Sequence, residues 1–223
     1  MNAKRLIALL TVVHGRVVDG QDPARDLGSP AAVAGRLELE GVDGILFATP
    51  GDAHPARAPW LREVAAALFL PFGLEAPIQE PAALGAALAA GVDRVVLGPG
   101  GADLELLPAL VAAFGRGRAT VAVDADYTDE GWRSGDQDAL AWMGELGERG
   151  AGEILLRAQG SAEALAELAR GTAHLPLPVL FRAGPGEATE ALLHGVGGLV
   201  CPLSASPGAI KAAFAQEGLT FRS

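Results

Sequence analysis

Short apolar runs alternate with alanine- and leucine-rich stretches along the whole chain, and this alternation restricts the fold more than any other feature. The strand candidates are Leu6–Val13, Gly44–Ala48, Phe69–Leu74, Arg94–Leu97, Thr120–Val123, Glu153–Leu156, Val179–Phe181 and Gly198–Val200. Most are apolar at nearly every position, as strands covered on both faces are. The stretches between them carry helix starts. Ser29-Pro30 and Ser206-Pro207 place a capping hydroxyl before a proline at the first helical position, and Glu80-Pro81 is a weaker version. Eight strand–helix units in 223 residues imply one (β/α)8 TIM barrel over residues 1–223, with the helices outside.

The two halves of the chain echo each other. GVDGILFA from Gly41 is matched by GAGEILLR from Gly150, LPFGLEAP from Leu70 by LPVLFRAGPG from Leu177, and GVDRVVLGPG from Gly91 by GVGGLVCPL from Gly195. A repeat of this length implies half-barrels of about 1–115 and 116–223, far longer than a solenoid unit. The first strand is then the counterpart of the fifth, which pairs Thr11 near the end of one with Asp124 near the end of the other.

Charge excludes some partners. A formal charge of −10 and a pI near 4.8 leave no basic stripe to neutralise phosphates, so no nucleic-acid partner is expected. The apolar run after Lys4 and Arg5 breaks at His14-Gly15-Arg16, and no stretch reaches membrane-spanning length. No membrane association is expected. The lone Cys201 allows no internal disulfide and suits a reducing compartment, so the expected location is cytoplasmic. His14, His54, His174 and His194 share no metal-ligand spacing, and GPGGADLELL lacks a Walker lysine, so neither a metal nor a cofactor is expected. Trp132 and Trp142 flank a polar loop; helix packing is the expected role, with pocket lining as the alternative.

The half-barrel duplication, AKRLIALLTVVHGRVVDG at the start, VAVDA at the fifth strand, RGAGEILL at the sixth and EGLTFR near the end resemble the cyclase subunit of imidazole glycerol phosphate synthase, a barrel of histidine biosynthesis. A phosphoribosyl isomerase shares that fold. The resemblance implies two aspartates, at the ends of the first and fifth strands, exchanging protons across the barrel mouth. Asp124 stands at the second position and Thr11 at the first. A threonine hydroxyl is no general base near neutral pH without a neighbouring base to activate it.

The resemblance also implies a phosphorylated small-molecule ligand, held by glycine-rich loops after the third, fourth, seventh and eighth strands. Here those loops read LEAPI, LGPGG, AGPGE and VCPLS, each with a proline, which has no N–H to offer a phosphate. The glycines expected to bind an anion are Gly100, Gly101, Gly184 and Gly186, and Glu75 stands where the family has a glycine. Other family features are altered too: Asp19 replaces a lysine, Thr49 replaces an aspartate, and a charged segment after the sixth strand is missing. Arg157 and Arg182 end the sixth and seventh strands. They are expected to pair with Asp124 and Glu75; the alternative is a clamp on a phosphate or carboxylate.

At the opposite end, the resemblance implies docking of a glutaminase subunit over a ring of charged gate residues. Arg5 and Glu153 match two of them, Arg94 replaces a lysine, Gly44 replaces a glutamate, and Asp93 matches an interface acid. The competing reading gives these charges a purely stabilising role. Function is therefore expected to be that of a divergent cyclase-like barrel with lost or strongly reduced activity. The alternatives are an active lyase/cyclase or isomerase using Asp124, and a non-catalytic barrel that docks a glutaminase.

Overall fold

The computed structural model describes residues 3–20, 22–50, 58–78, 80–98, 104–184, 188–202 and 206–222. Twelve strands occur among them: β1 (Arg5–Val13), β2 (Arg16–Val18), β3 (Asp26–Gly28), β4 (Gly44–Ala48), β5 (Phe72–Glu75), β6 (Arg94–Leu97), β7 (Ala119–Thr128), β8 (Gly131–Ser134), β9 (Gln137–Asp138), β10 (Glu153–Gln159), β11 (Val179–Arg182) and β12 (Gly198–Cys201). Strands β1, β4, β5, β6, β7, β10, β11 and β12 pair in parallel in that order, and β12 returns to β1. The sheet therefore closes as a (β/α)8 barrel. Its covering helices among the described residues are α1 (Pro30–Leu39), α2 (Trp60–Ala67), α3 (Pro81–Ala89), α4 (Leu107–Phe114), α5 (Ala139–Glu148), α6 (Ala162–Thr172), α7 (Thr189–His194) and α8 (Pro207–Gln216). No helix among the described residues is long and apolar enough to cross a membrane.

The helix starts follow from the capping residues. Ser29 Oγ accepts from Ala32 N at 3.4 Å and Ser206 Oγ from Ala209 N at 3.3 Å, whereas Glu80 makes no side-chain cap. Strand alternation then divides the core in two. On β1, Leu6, Ala8, Leu10 and Val12 join the large cluster under the helices. Ile7 and Leu9 instead pack against Leu46, Val96, Ala122, Leu155, Leu180 and Val200, a second cluster that fills the lumen. Residues two positions beyond this plug reach the mouth, and residues two positions before it reach the opposite opening.

Three expectations need correction. The third barrel strand begins at Phe72, not Phe69: the N–H groups of Phe69 and Leu70 both donate to Glu38 Oε1 at 2.8 Å, and Pro71 has none to offer a ladder. The fifth and sixth barrel strands run on to Thr128 and Gln159, past Val123 and Leu156, because β7 continues into a hairpin with β8. The short strands β2 and β3 were not anticipated: β2 folds back on β1 through His14 and Gly15, both at positive φ (50° and 74°), and β3 then pairs with β2.

Trp132 is buried, with Nε1 donating to Ala164 O at 3.1 Å and the ring tilted against Tyr127 at 5.2 Å; Trp142 carries the Arg149 guanidinium at 5.1 Å. Trp132 thus fastens the β8 hairpin to α6. Trp132→Phe keeps most of the packing and removes the hydrogen bond. It should lower urea-measured stability by about 1 kcal/mol, and an unchanged midpoint would show that the bond contributes nothing.

Candidate functional site

Alternation brings Thr11, Glu75, Asp124, Arg157 and Arg182 to the C-terminal ends of the barrel strands, around a cavity of about 370 Å³ that Thr11, Glu75, Arg157 and Arg182 line directly. Register places Arg157 on β10 beside Asp124 on β7. The guanidinium takes the carboxylate in a two-pronged pair, Nε to Oδ1 at 2.5 Å and Nη2 to Oδ2 at 2.9 Å. Its remaining nitrogen, Nη1, reaches Glu75 Oε1 at 3.2 Å, and Arg182 Nη1 donates to the other Glu75 oxygen at 2.7 Å. Two cations and two anions form one chain across the mouth, with no surplus charge. Planar guanidinium–carboxylate geometry of this kind is the strong, orientation-specific form of the ion pair.

Thr49 is buried under this chain, and its N–H donates to Glu75 O at 2.9 Å, fixing the backbone that carries Glu75. Thr11 stands on the cavity wall, where its counterpart on β7 is Asp124. Pro50 and Pro77 line the same cavity, so at those two places the wall offers no N–H. Gly184 follows β11 and is half-buried, whereas Gly100, Gly101 and Gly186 lie outside the described residues. Cys201 ends β12 fully buried, and burial pushes its thiol up to about 12. At neutral pH it is protonated and covered. A thiol reagent should label it only after unfolding, and rapid labelling of the folded protein would contradict this burial. Among the described residues, no group of three or more His, Cys, Asp or Glu side chains is placed to hold a metal ion.

The opposite opening is built from the other end of the same strands. Glu153, only 2% exposed, accepts from Arg5 Nη2 through Oε1 and from Arg94 Nη1 through Oε2, the latter at 2.7 Å. Gly44 carries no side chain here, and a cavity of about 150 Å³ opens beside it, walled by Arg5, Arg94, Arg222 and Glu153. Asp93 accepts from Phe72 N at 3.0 Å and Arg118 Nη1 at 3.4 Å. Asp43 does the same work two units earlier, accepting from Leu6 N at 2.7 Å and Lys211 Nζ at 3.0 Å. Both aspartates thus hold an N–H at the start of a neighbouring strand, Phe72 being the first residue of β5 and Leu6 the second of β1.

A family model described as histidine biosynthesis protein matches residues 5–160, about two thirds of the chain. The chain belongs to the histidine biosynthesis protein family. It is 32% identical over 251 residues to imidazole glycerol phosphate synthase subunit HisF of Myxococcus xanthus (strain DK1622), covering 100% of this chain and 99% of that one. It is 30% identical over 209 residues to the protein of the same name in Bacteroides fragilis (strain YCH46), covering 84% and 82% of the two chains. This family member is a HisF-like barrel along its whole length.

Several residues that shape both openings of this HisF-like barrel escaped the sequence reading. Thr49 was noted for the aspartate it replaces, not for its hold on Glu75. Asp43, Lys211 and Arg222 were passed over because they lie far apart in sequence. The only signal was the repeated GVD of Gly41–Asp43 and Gly91–Asp93, which marks the shared strand-closing role.

Proposed function

We propose that this barrel has lost, or retains only feebly, the cyclase chemistry of its family, and that it works as a docking scaffold for a glutaminase subunit. The observation that carries the first part is the Arg157–Asp124 pair. Both carboxylate oxygens are engaged by a guanidinium, so the one remaining acid of the expected pair is turned toward a neighbouring strand. Thr11 offers a hydroxyl where the other acid would act, and among the described residues no base is hydrogen-bonded to it. Glu75 adds a negative charge where an anionic ligand would approach, and the arginines that would attract a phosphate are already neutralised.

The second part is supported by the relatives, each named as a subunit of a synthase, and by the Arg5–Glu153–Arg94 cluster at the N-terminal opening. On this reading the chain acts as one domain made of two half-barrels joined near residue 115, in the cytoplasm.

Ammonia-dependent turnover of the family's ribulosyl-formimino substrate tests the first part. The rate should fall at least about a hundredfold below that of an intact HisF, the usual worth of a lost acid–base group. Ordinary turnover, abolished in Asp124→Asn, would establish the second reading, an active lyase/cyclase or isomerase. What favours that reading is that the Asp124 side chain remains 52% exposed at the mouth.

A further inference from the structure

The cavity of about 150 Å³ at the N-terminal opening lies between charged residues and the plug that fills the lumen. Its inner wall is aliphatic. Ile7, Leu46, Val96, Leu155, Leu180 and Val200 line it, and the same six belong to the lumen cluster. Barrel interiors are ordinarily packed with successive layers of side chains. Here two neighbouring strands contribute glycines, Gly44 on β4 and Gly73 on β5, and space is left over. Neither position takes a side chain readily: a Cβ on Gly44 would lie 3.2 Å from Pro71 O, and one on Gly73 3.1 Å from Leu46 Cδ1. An aliphatic cavity of this volume holds a six-carbon ring.

The outer wall is polar, and its acids are already engaged. Asp43 accepts from Leu6 N and Lys211 Nζ, Asp93 from Phe72 N and Arg118 Nη1, and Glu153 from both Arg5 and Arg94. Glu38, close to the wall residue Pro71, spends Oε1 on the Phe69 and Leu70 N–H groups. A cationic ligand would have to compete for every one of these carboxylates. The guanidiniums are not used up in the same way. Arg5 gives Glu153 only Nη2, and Arg94 only Nη1. Arg222, on the same wall, has no carboxylate within ion-pair distance among the described residues. Its backbone is anchored, the N–H donating to Lys4 O at 3.0 Å and the carbonyl accepting from Lys211 Nζ at 2.7 Å. The unpaired guanidinium therefore stands on a fixed support.

We infer that the N-terminal opening binds a small organic carboxylate, with an apolar body of about six carbons against the lumen plug and its charge on Arg222 and the spare nitrogens of Arg94 and Arg5. The site selects for both parts at once. A bare anion satisfies the guanidiniums but leaves the aliphatic floor uncovered, and a neutral ring covers the floor but gives the forks no acceptor for a two-pronged pair. This goes beyond the reading above, since it needs neither a glutaminase nor any chemistry at the mouth.

The test is titration of the whole chain with benzoate, followed by calorimetry and proton NMR. Benzoate should bind with a Kd of about 0.3 mM. Acetate, which lacks the body, and benzyl alcohol, which lacks the charge, should each bind at least about tenfold more weakly. Cross-peaks from the benzoate ring should reach the methyl groups of Val96 and Leu155. The Arg222 side chain is exposed and its guanidinium bonds to nothing among the described residues, so Arg222→Gln should leave circular dichroism unchanged. It should weaken benzoate binding about tenfold, the loss of one charge-assisted contact. No binding at about 10 mM benzoate would overturn the inference. So would acetate binding as tightly as benzoate, an affinity unaltered by Arg222→Gln, or ring contacts to Thr11 and Ala48 at the mouth instead. None of these outcomes bears on whether a glutaminase docks.

Discussion

Glu153→Gln is expected to remove about 3–5 kcal/mol of folding stability and to lower the thermal midpoint by roughly 10 °C. The carboxylate is 97–98% shielded from solvent and is the shared acceptor of two guanidiniums. Glutamine keeps the volume, loses the charge, and turns one of two acceptor oxygens into a donor that faces a cation. Arg5 and Arg94 would then sit together at the barrel opening without a counter-charge. Their partial exposure lets water recover some of the loss, which places the expected figure toward the lower end. The triple change Arg5→Met/Glu153→Leu/Arg94→Met should recover much of the stability, because replacing a whole buried ion cluster with apolar side chains costs far less than breaking it. A loss under about 1 kcal/mol for Glu153→Gln by urea unfolding would mean the cluster is effectively a surface feature.

Glu75→Gln is expected to give the mouth an affinity for inorganic phosphate that the wild type lacks. Glu75 is the shared partner of Arg157 and Arg182, and for Arg182 it is the only acid within ion-pair distance among the described residues. Removing its charge changes a neutral chain of four groups into one with a net positive charge and frees most of one guanidinium beside a cavity of about 370 Å³. Two charge-assisted hydrogen bonds in that setting correspond to a Kd of about 1 mM, against no measurable binding below about 100 mM in the wild type. Calorimetry or phosphorus NMR would read the difference. Wild-type binding at millimolar phosphate would refute the claim that the arginines are already neutralised.

Much of this was legible in the sequence because strand periodicity fixes where a side chain ends up. Once Glu75, Asp124, Arg157 and Arg182 are placed at the ends of neighbouring or facing strands, opposite charges at one level have little choice but to meet. The barrel itself was readable for the same reason, down to the capping by Ser29 and Ser206. What failed was local. Phe69 reads as the start of a buried strand, and only the Glu38 carboxylate, thirty-one positions away, shows that its backbone belongs to a turn. β7 overran its expected end because a hairpin partner, β8, supplied hydrogen bonds to a polar stretch that apolar patterning does not register. Asp93 also holds the N–H of Phe72, a structural duty that the resemblance did not indicate. Exposure of Leu39 was invisible, since an apolar residue at a helix end reads the same whether covered or bare.

Glu75 belongs to the early strands of the barrel, while both arginines it holds come from the late ones. A chain that arose by doubling a shorter ancestor begins with interchangeable copies. Here that interchangeability is gone. Two late segments assembled around each other would crowd four guanidiniums at one rim with only a pair of Asp124 carboxylates between them, and two early segments would bring Glu75 face to face with itself. At this rim the early portion supplies an anion that balances the late portion's cations, so copying either portion twice would set like charges against each other.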